Sequence, residues 1–140
     1  MRYFILLLSF CFTALPAAAQ TPAPTLSIAL GETVTVRITP DGKFVEVSRA
    51  RGEASGERAA DTVRFTFSNM GGQRMLNAEN GYGQAFTYRA RMFAGNRSAN
   101  TSICPVMPRI MSMESWGDPI DRLELREPRL VEGRVEMTCQ

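Results

Sequence analysis

Histidine is absent from the 140 residues, and lysine and tryptophan occur once each, as Lys43 and Trp116. Without an imidazole, Ser-His-Asp and Cys-His arrangements are excluded, and so are zinc sites that use histidine. No phosphate-binding loop or dinucleotide fingerprint occurs: Gly81-Tyr82-Gly83 has neither the third glycine nor a helix pattern behind it and reads as a turn. The chain therefore calls for no cofactor. A capped apolar helical period is missing as well, which leaves room for one short helical turn within Val106 to Glu114, after Pro105 or Pro108. The catalytic chemistry that survives is a carboxylate pair of the glycosidase kind or a Ser-Lys dyad on Lys43. Both are weakly founded, because a lone lysine beside a turn and acids spaced along strands are ordinary solvated positions.

Cysteine is scarce, and its placement matters. Arg2, the apolar run Tyr3 to Leu15 and the small-residue stretch Pro16-Ala17-Ala18-Ala19-Gln20 together read as a secretory signal cleaved before Gln20. The run is too short for the ~20 residues that a membrane-spanning helix needs, so no transmembrane anchor is expected after cleavage. Cys11 follows Phe10 in mid-run, which is no place for a lipidated cysteine, and it leaves with the signal. The expected organisation is a signal peptide over 1–19 and a single domain over 20–140, periplasmic or secreted. Cys104 and Cys139 then form one pair in an oxidising compartment. The two lie 35 positions apart, and closing a loop of that length contributes roughly 3 to 4 kcal/mol on the chain-entropy argument. A catalytic dithiol would want a close Cys-x-x-Cys spacing, which this pair lacks.

Charge of one sign is also lacking in excess. With Arg2 removed, the remaining basic and acidic residues nearly balance, and no nucleic-acid partner is implied. The distribution is uneven: arginines concentrate between residues 49 and 109, while acids outnumber them from 110 to 140, so the two parts are expected to pair in the fold.

Period-two alternation is what the chain has in quantity. Leu26, Ile28 and Leu30, then Val34, Val36 and Ile38, mark two half-buried strands. Pro40-Asp41-Gly42 turns the chain into Phe44 to Val47, and Ser48 to Asp61 reads as a polar, glycine-bearing loop. Val63, Phe65 and Phe67 follow, ended by Asn69-Met70-Gly71-Gly72; residues 74–79 form a weaker candidate. After the turn signal Asn80-Gly81, a return run puts Phe86, Tyr88, Ala90 and Met92 on one face and Thr87, Arg89 and Arg91 on the other. Ala94 to Ser102 is small and polar, and its two sequons, at Asn96 and Asn100, read as loop composition in a periplasmic protein. Leu123 and Leu125, then Val135, Met137 and Cys139, mark two final strands separated by Pro128 and Gly133. The fold class expected is all-β: an antiparallel β-sandwich of about seven to nine strands with little helix.

The segment Thr25 to Val36 resembles the first strand pair of many immunoglobulin-like domains. The resemblance implies an immunoglobulin-like general architecture and carries no active site. Its second strand has apolar residues where such domains often hold a cysteine, so the disulfide must lie elsewhere.

Three groups of residues are candidates for binding. Trp116 precedes a Gly-Asp-Pro turn and would anchor a ligand if exposed, with Arg109, Glu114 and Asp118 as its polar rim. Arg64, Arg89 and Arg91 would form a cationic face for envelope phosphates or acidic glycans. Met107, Met111 and Met113 offer soft thioethers to Cu(I), although methionine also fills irregular gaps in a core. The function expected is an exported, non-catalytic binding or envelope-interaction module, with an envelope protein or an anionic glycan as partner. A methionine-based periplasmic copper carrier and a carboxylate-dependent hydrolase are the alternatives.

Overall fold

The computed structural model describes residues 20–53 and 55–140, so the signal expected over 1–19 lies outside the described residues. Among the described residues nine strands follow one another: β1 Thr25–Ala29, β2 Glu32–Ile38, β3 Phe44–Arg51, β4 Val63–Met70, β5 Gln73–Asn80, β6 Ala85–Ala94, β7 Arg97–Thr101, β8 Met111–Trp116 and β9 Arg122–Val131. They form two antiparallel sheets, ordered β1-β9-β6-β7 and β3-β2-β4-β5-β8, with no helix among the described residues. The helical turn allowed within Val106 to Glu114 does not form; a turn carrying Arg109 at φ 61° leads directly into β8.

The alternating apolar residues meet in one core fed by both sheets. Phe65 on β4 packs edge-on against Phe86 and Tyr88 on β6, with ring centroids 6.1 and 5.4 Å apart, and against Phe44 at 6.3 Å. Ile28, Leu76, Leu123 and Leu125 are fully buried around them. Burial of side chains of this size contributes about 1.5–3 kcal/mol each.

The hairpins follow local turn chemistry. Thr39 N–H donates to the Lys43 carbonyl across Pro40-Asp41-Gly42, and Gly42 takes φ 75°. Gly71 and Gly72, at φ 60° and 88°, form the two-residue link between Met70 and Gln73, since two successive positive φ values favour glycine.

Other sequence expectations are corrected. The run after Asn80-Gly81 does not return along β5 but crosses to the other sheet, where β6 pairs β7 and β9. Asn80 explains the crossing. It is fully buried, and its Nδ2 donates to the carbonyls of Gln84, Val106 and Met107 while its Oδ1 accepts from Tyr82 N–H. The weak candidate at 74–79 is an interior strand flanked by β4 and β8, and the polar stretch after Ala94 includes the edge strand β7.

Pro128 does not end a strand either. β9 passes through it by a bulge, with Glu127 at φ 53°, where Glu127 and Pro128 together oppose Tyr88 and no proline N–H is needed. Val135, Met137 and Cys139 are not in a strand. The closing segment is irregular, held by reciprocal backbone bonds between Ile103 and Gln140 and by the Cys104–Cys139 disulfide, Cα–Cα 4.0 Å. The pair that resembles the start of an immunoglobulin-like domain is divided between sheets: β1 pairs β9, whereas β2 pairs β3 and β4.

Candidate functional site

The outward face of the four-stranded sheet collects arginine. On β6 the alternation holds as the sequence predicts, turning Phe86 and Tyr88 inward and leaving Arg89 and Arg91 outward. β9 sets Arg122 opposite Phe93, Glu124 opposite Arg91, Arg126 opposite Arg89 and, past the bulge, Arg129 opposite Thr87. Five arginines, 89, 91, 122, 126 and 129, thus share a surface with two acids, Glu124 and Glu127.

Their partners are weak or neutral. Arg89 reaches Glu127 at 3.3 Å and Arg122 reaches Glu124 at 3.5 Å, long and solvent-exposed contacts that contribute little. Arg91 donates to Ser98 Oγ at 3.1 and 2.7 Å, and Arg126 donates to Asn100 Oδ1 at 3.3 Å while its buried Nε has no partner. The Arg122 guanidinium stacks 3.7 Å from the Phe93 ring centroid, which holds its plane against the sheet and fixes its position. Arg89 and Arg126 stand directly opposite one another, an arrangement that costs stability in a ladder. At one end of this face the disulfide-held closing segment walls a cleft of about 460 Å³ lined by Thr87, Arg89, Arg129, Glu132 and Gln140.

Arg64 belongs to a different environment. It lies on β4 of the other sheet, where its guanidinium grips Glu79 at 3.1 and 2.7 Å and also donates to the Gly56 carbonyl. The three arginines expected on one face are therefore split. Arg122, Arg126 and Arg129 join Arg89 and Arg91 instead. The alternation of Arg122-Leu123-Glu124-Leu125-Arg126 was a visible signal for the first two of these, but Arg129 reaches the face only through the bulge.

Trp116 is half-buried at the end of β8, packed against the core, with its Nε1 donating to Thr101 Oγ1 at 2.9 Å. Glu114 shares that inner side of β8, and its Oε1 accepts the Cys104 N–H at 3.2 Å. Arg109 and Asp118 flank β8 at its opposite ends, separated by a strand roughly 20 Å long at the usual rise per residue, so they do not form one rim around the indole. Met107 lies in the link before β8, its carbonyl held by Asn80, whereas Met111 and Met113 point outward from β8 and are exposed.

The acids offer little convergence. Glu32 and Glu46 both bind Arg49, at 2.6 Å and at 2.9 and 2.8 Å, and the Glu46 hydrogen bonds push the Arg49 guanidinium pKa further up. Lys43 holds the Asp41 carboxyl down to about 2 from the side of an exposed turn. Among the described residues no cluster of three or more His, Cys, Asp or Glu could hold a metal ion, and no helix is long and apolar enough to cross a membrane. Compared with known protein families, curated proteins and solved structures, the chain matches none.

Proposed function

We propose that this chain is an exported, non-catalytic binding module whose arginine face takes an anionic glycan of the cell envelope. In this reading the two sheets stack as a β-sandwich, immunoglobulin-like in general architecture but with its own strand order. Export rests on the signal segment and is consistent with the Cys104–Cys139 disulfide. The observation that carries the binding reading is the Arg89–Arg126 pair. A sheet that needed only stability would place an acid opposite one of them.

The test is binding to immobilised polygalacturonate and to a sulfated glycan at increasing salt. Replacing Arg89, Arg126 and Arg129 by glutamine should weaken binding at least ~10-fold and reduce the salt dependence, because every guanidinium removed from the face means one counterion fewer released on binding. A control triple, Arg37→Gln, Lys43→Gln and Arg51→Gln, removes the same charge elsewhere and should leave most of the binding. Equal weakening in the two variants would reduce the effect to net charge and defeat the reading.

A further inference from the structure

Among the described residues each sheet ends in two strands that have a ladder partner on one side only, and three of these four edges are blunted. β1 is entered through Pro22 and Pro24. β3 carries Glu46, Arg49 and Arg51, and its pairing with β2 shifts at a bulge. β7 opens on Arg97 and receives the Arg91 guanidinium at Ser98. Proline, charge and bulges are the devices that keep an edge strand from pairing with another chain. β8 has none of them on its outward face, where Met111, Met113 and Ser115 alternate and both methionines are more than half exposed. Its one charge, Glu114, is turned inward and accepts the Cys104 N–H.

The backbone of β8 divides in the same way. The Asn80 N–H donates to the Ile110 carbonyl at 2.9 Å, in the register that pairs Ala78 with Ser112 and Leu76 with Glu114. Residues of an antiparallel strand alternate between bonding to one neighbour and to the other. Ser112, Glu114 and Trp116 therefore bond to β5, and the N–H and C=O groups of Met111, Met113 and Ser115 point away from it. No strand lies on that side among the described residues. The free backbone groups and the exposed methionines thus belong to the same stretch of the same edge.

We propose that β8 pairs antiparallel with β8 of a second copy of this chain, about a two-fold axis at Met113, joining the two five-stranded sheets into one. In this register Met113 stands opposite Met113, and Met111 opposite Ser115 of the second copy. Each such pair exchanges two backbone hydrogen bonds. On the outward face, Met111 and Met113 of both copies meet at the seam, where facing side chains lie about 5 Å apart and diagonal ones about 7 Å, so exposed apolar surface leaves water. On the inward face Ser112 falls opposite Glu114, and no like charges meet. The ends of β8 favour a second copy over an unrelated strand. Exposed Arg109 precedes the strand and exposed Asp118 follows it, and neither has an ion-pair partner among the described residues. Antiparallel self-pairing brings Arg109 of each copy to the Asp118 end of the other, whereas a parallel arrangement sets like charges together at both ends. The contact is isologous and closes at two copies. It is independent of the arginine face, which lies on the other sheet.

The experiment is sedimentation velocity of the purified protein over a concentration series, with circular dichroism to show that each variant is folded. The parent should pass from monomer to dimer as concentration rises, and form nothing larger. Met113→Lys sets two like charges directly opposite one another at the axis and should stay monomeric where the parent is dimeric. Met70→Lys adds the same charge to the same outward face but on β4, beyond β5, and should dimerise as the parent does. Arg109→Asp and Asp118→Arg should each weaken the dimer at least ~3-fold when made alone. Made together they restore opposite charges with their places exchanged, and the dimer should recover. A parent that is monomeric throughout or grows beyond two copies, a dimer that survives Met113→Lys, equal loss on Met70→Lys, or a charge exchange without recovery would each overturn the pairing.

Discussion

The outward faces of the two sheets handle charge in opposite ways. On the outward face of the five-stranded sheet, Arg64 is bidentate to Glu79, so this cation is matched within the protein. On the four-stranded sheet, Arg91 and Arg126 have neutral partners, Arg89 faces Arg126, and Arg129 makes no ion pair among the described residues. Both faces are built from the same alternating pattern and the same residue type. The difference teaches that an arginine's meaning here lies in what the ladder places opposite it.

Removing a matched cation should break this contrast most severely. Arg64→Ala leaves the partly buried Glu79 carboxylate without its partner and should cost about 1–3 kcal/mol in urea denaturation, whereas Arg129→Ala should change stability by less than ~0.5 kcal/mol. Equal costs would mean that the two faces do not differ as described.

The core holds a parallel contrast between two tyrosines. Tyr82 Oη accepts the Ile38 N–H at 2.9 Å in a buried position, while the fully buried Tyr88 Oη has no partner. Tyr82→Phe should destabilise by about 1–2 kcal/mol, and Tyr88→Phe should be neutral or stabilising by up to ~1 kcal/mol, because only the first orphans a backbone donor. Burial pushes the pKa of both phenols up, most strongly that of Tyr88, where the Glu114 charge adds to the effect. Their folded pKa values exceed the unfolded value, so this stability is fully present below about pH 10 and is lost as pH rises beyond it. Denaturation curves between neutral and strongly alkaline pH should show that loss, and Tyr88→Phe should reduce it.

The smallest effect sharpens the contrast between the faces most. Arg126→Thr removes the like-charge pair with Arg89 and should raise stability by a few tenths of a kcal/mol while weakening glycan binding. Stability and binding moving in opposite directions is the signature of a charge retained for a partner. If both fell together, Arg126 would be a structural residue.

Much of the strand pattern was legible. Val34, Val36, Phe65, Phe67, Leu123 and Leu125 declare buried faces by alternation, and Gly42 and the Gly71-Gly72 pair declare turns. The arginine face was legible only in part, because Arg89 and Arg91 signal outward positions without revealing which strand lies beside them. Arg64 carries the same local signal and belongs to the other sheet. Asn80-Gly81 illustrates the limit: the dipeptide reads as a hairpin turn, yet burial of the Asn80 amide among three carbonyls makes it a crossing point between sheets.

By itself the sequence determined that the fold is all-β, that Cys104 and Cys139 are the two cysteines among the described residues, and that imidazole chemistry is impossible. These depend on residue type and on a period of two along the chain. Tertiary structure decided which arginines and methionines share a surface, because sheet neighbours such as β6 and β9 are distant in sequence and their register is set by a bulge at Glu127. A one-residue change in that bulge reverses which side chains face outward beyond it. Arg129 joins Arg89 for that reason, and no pattern within either strand alone contains it.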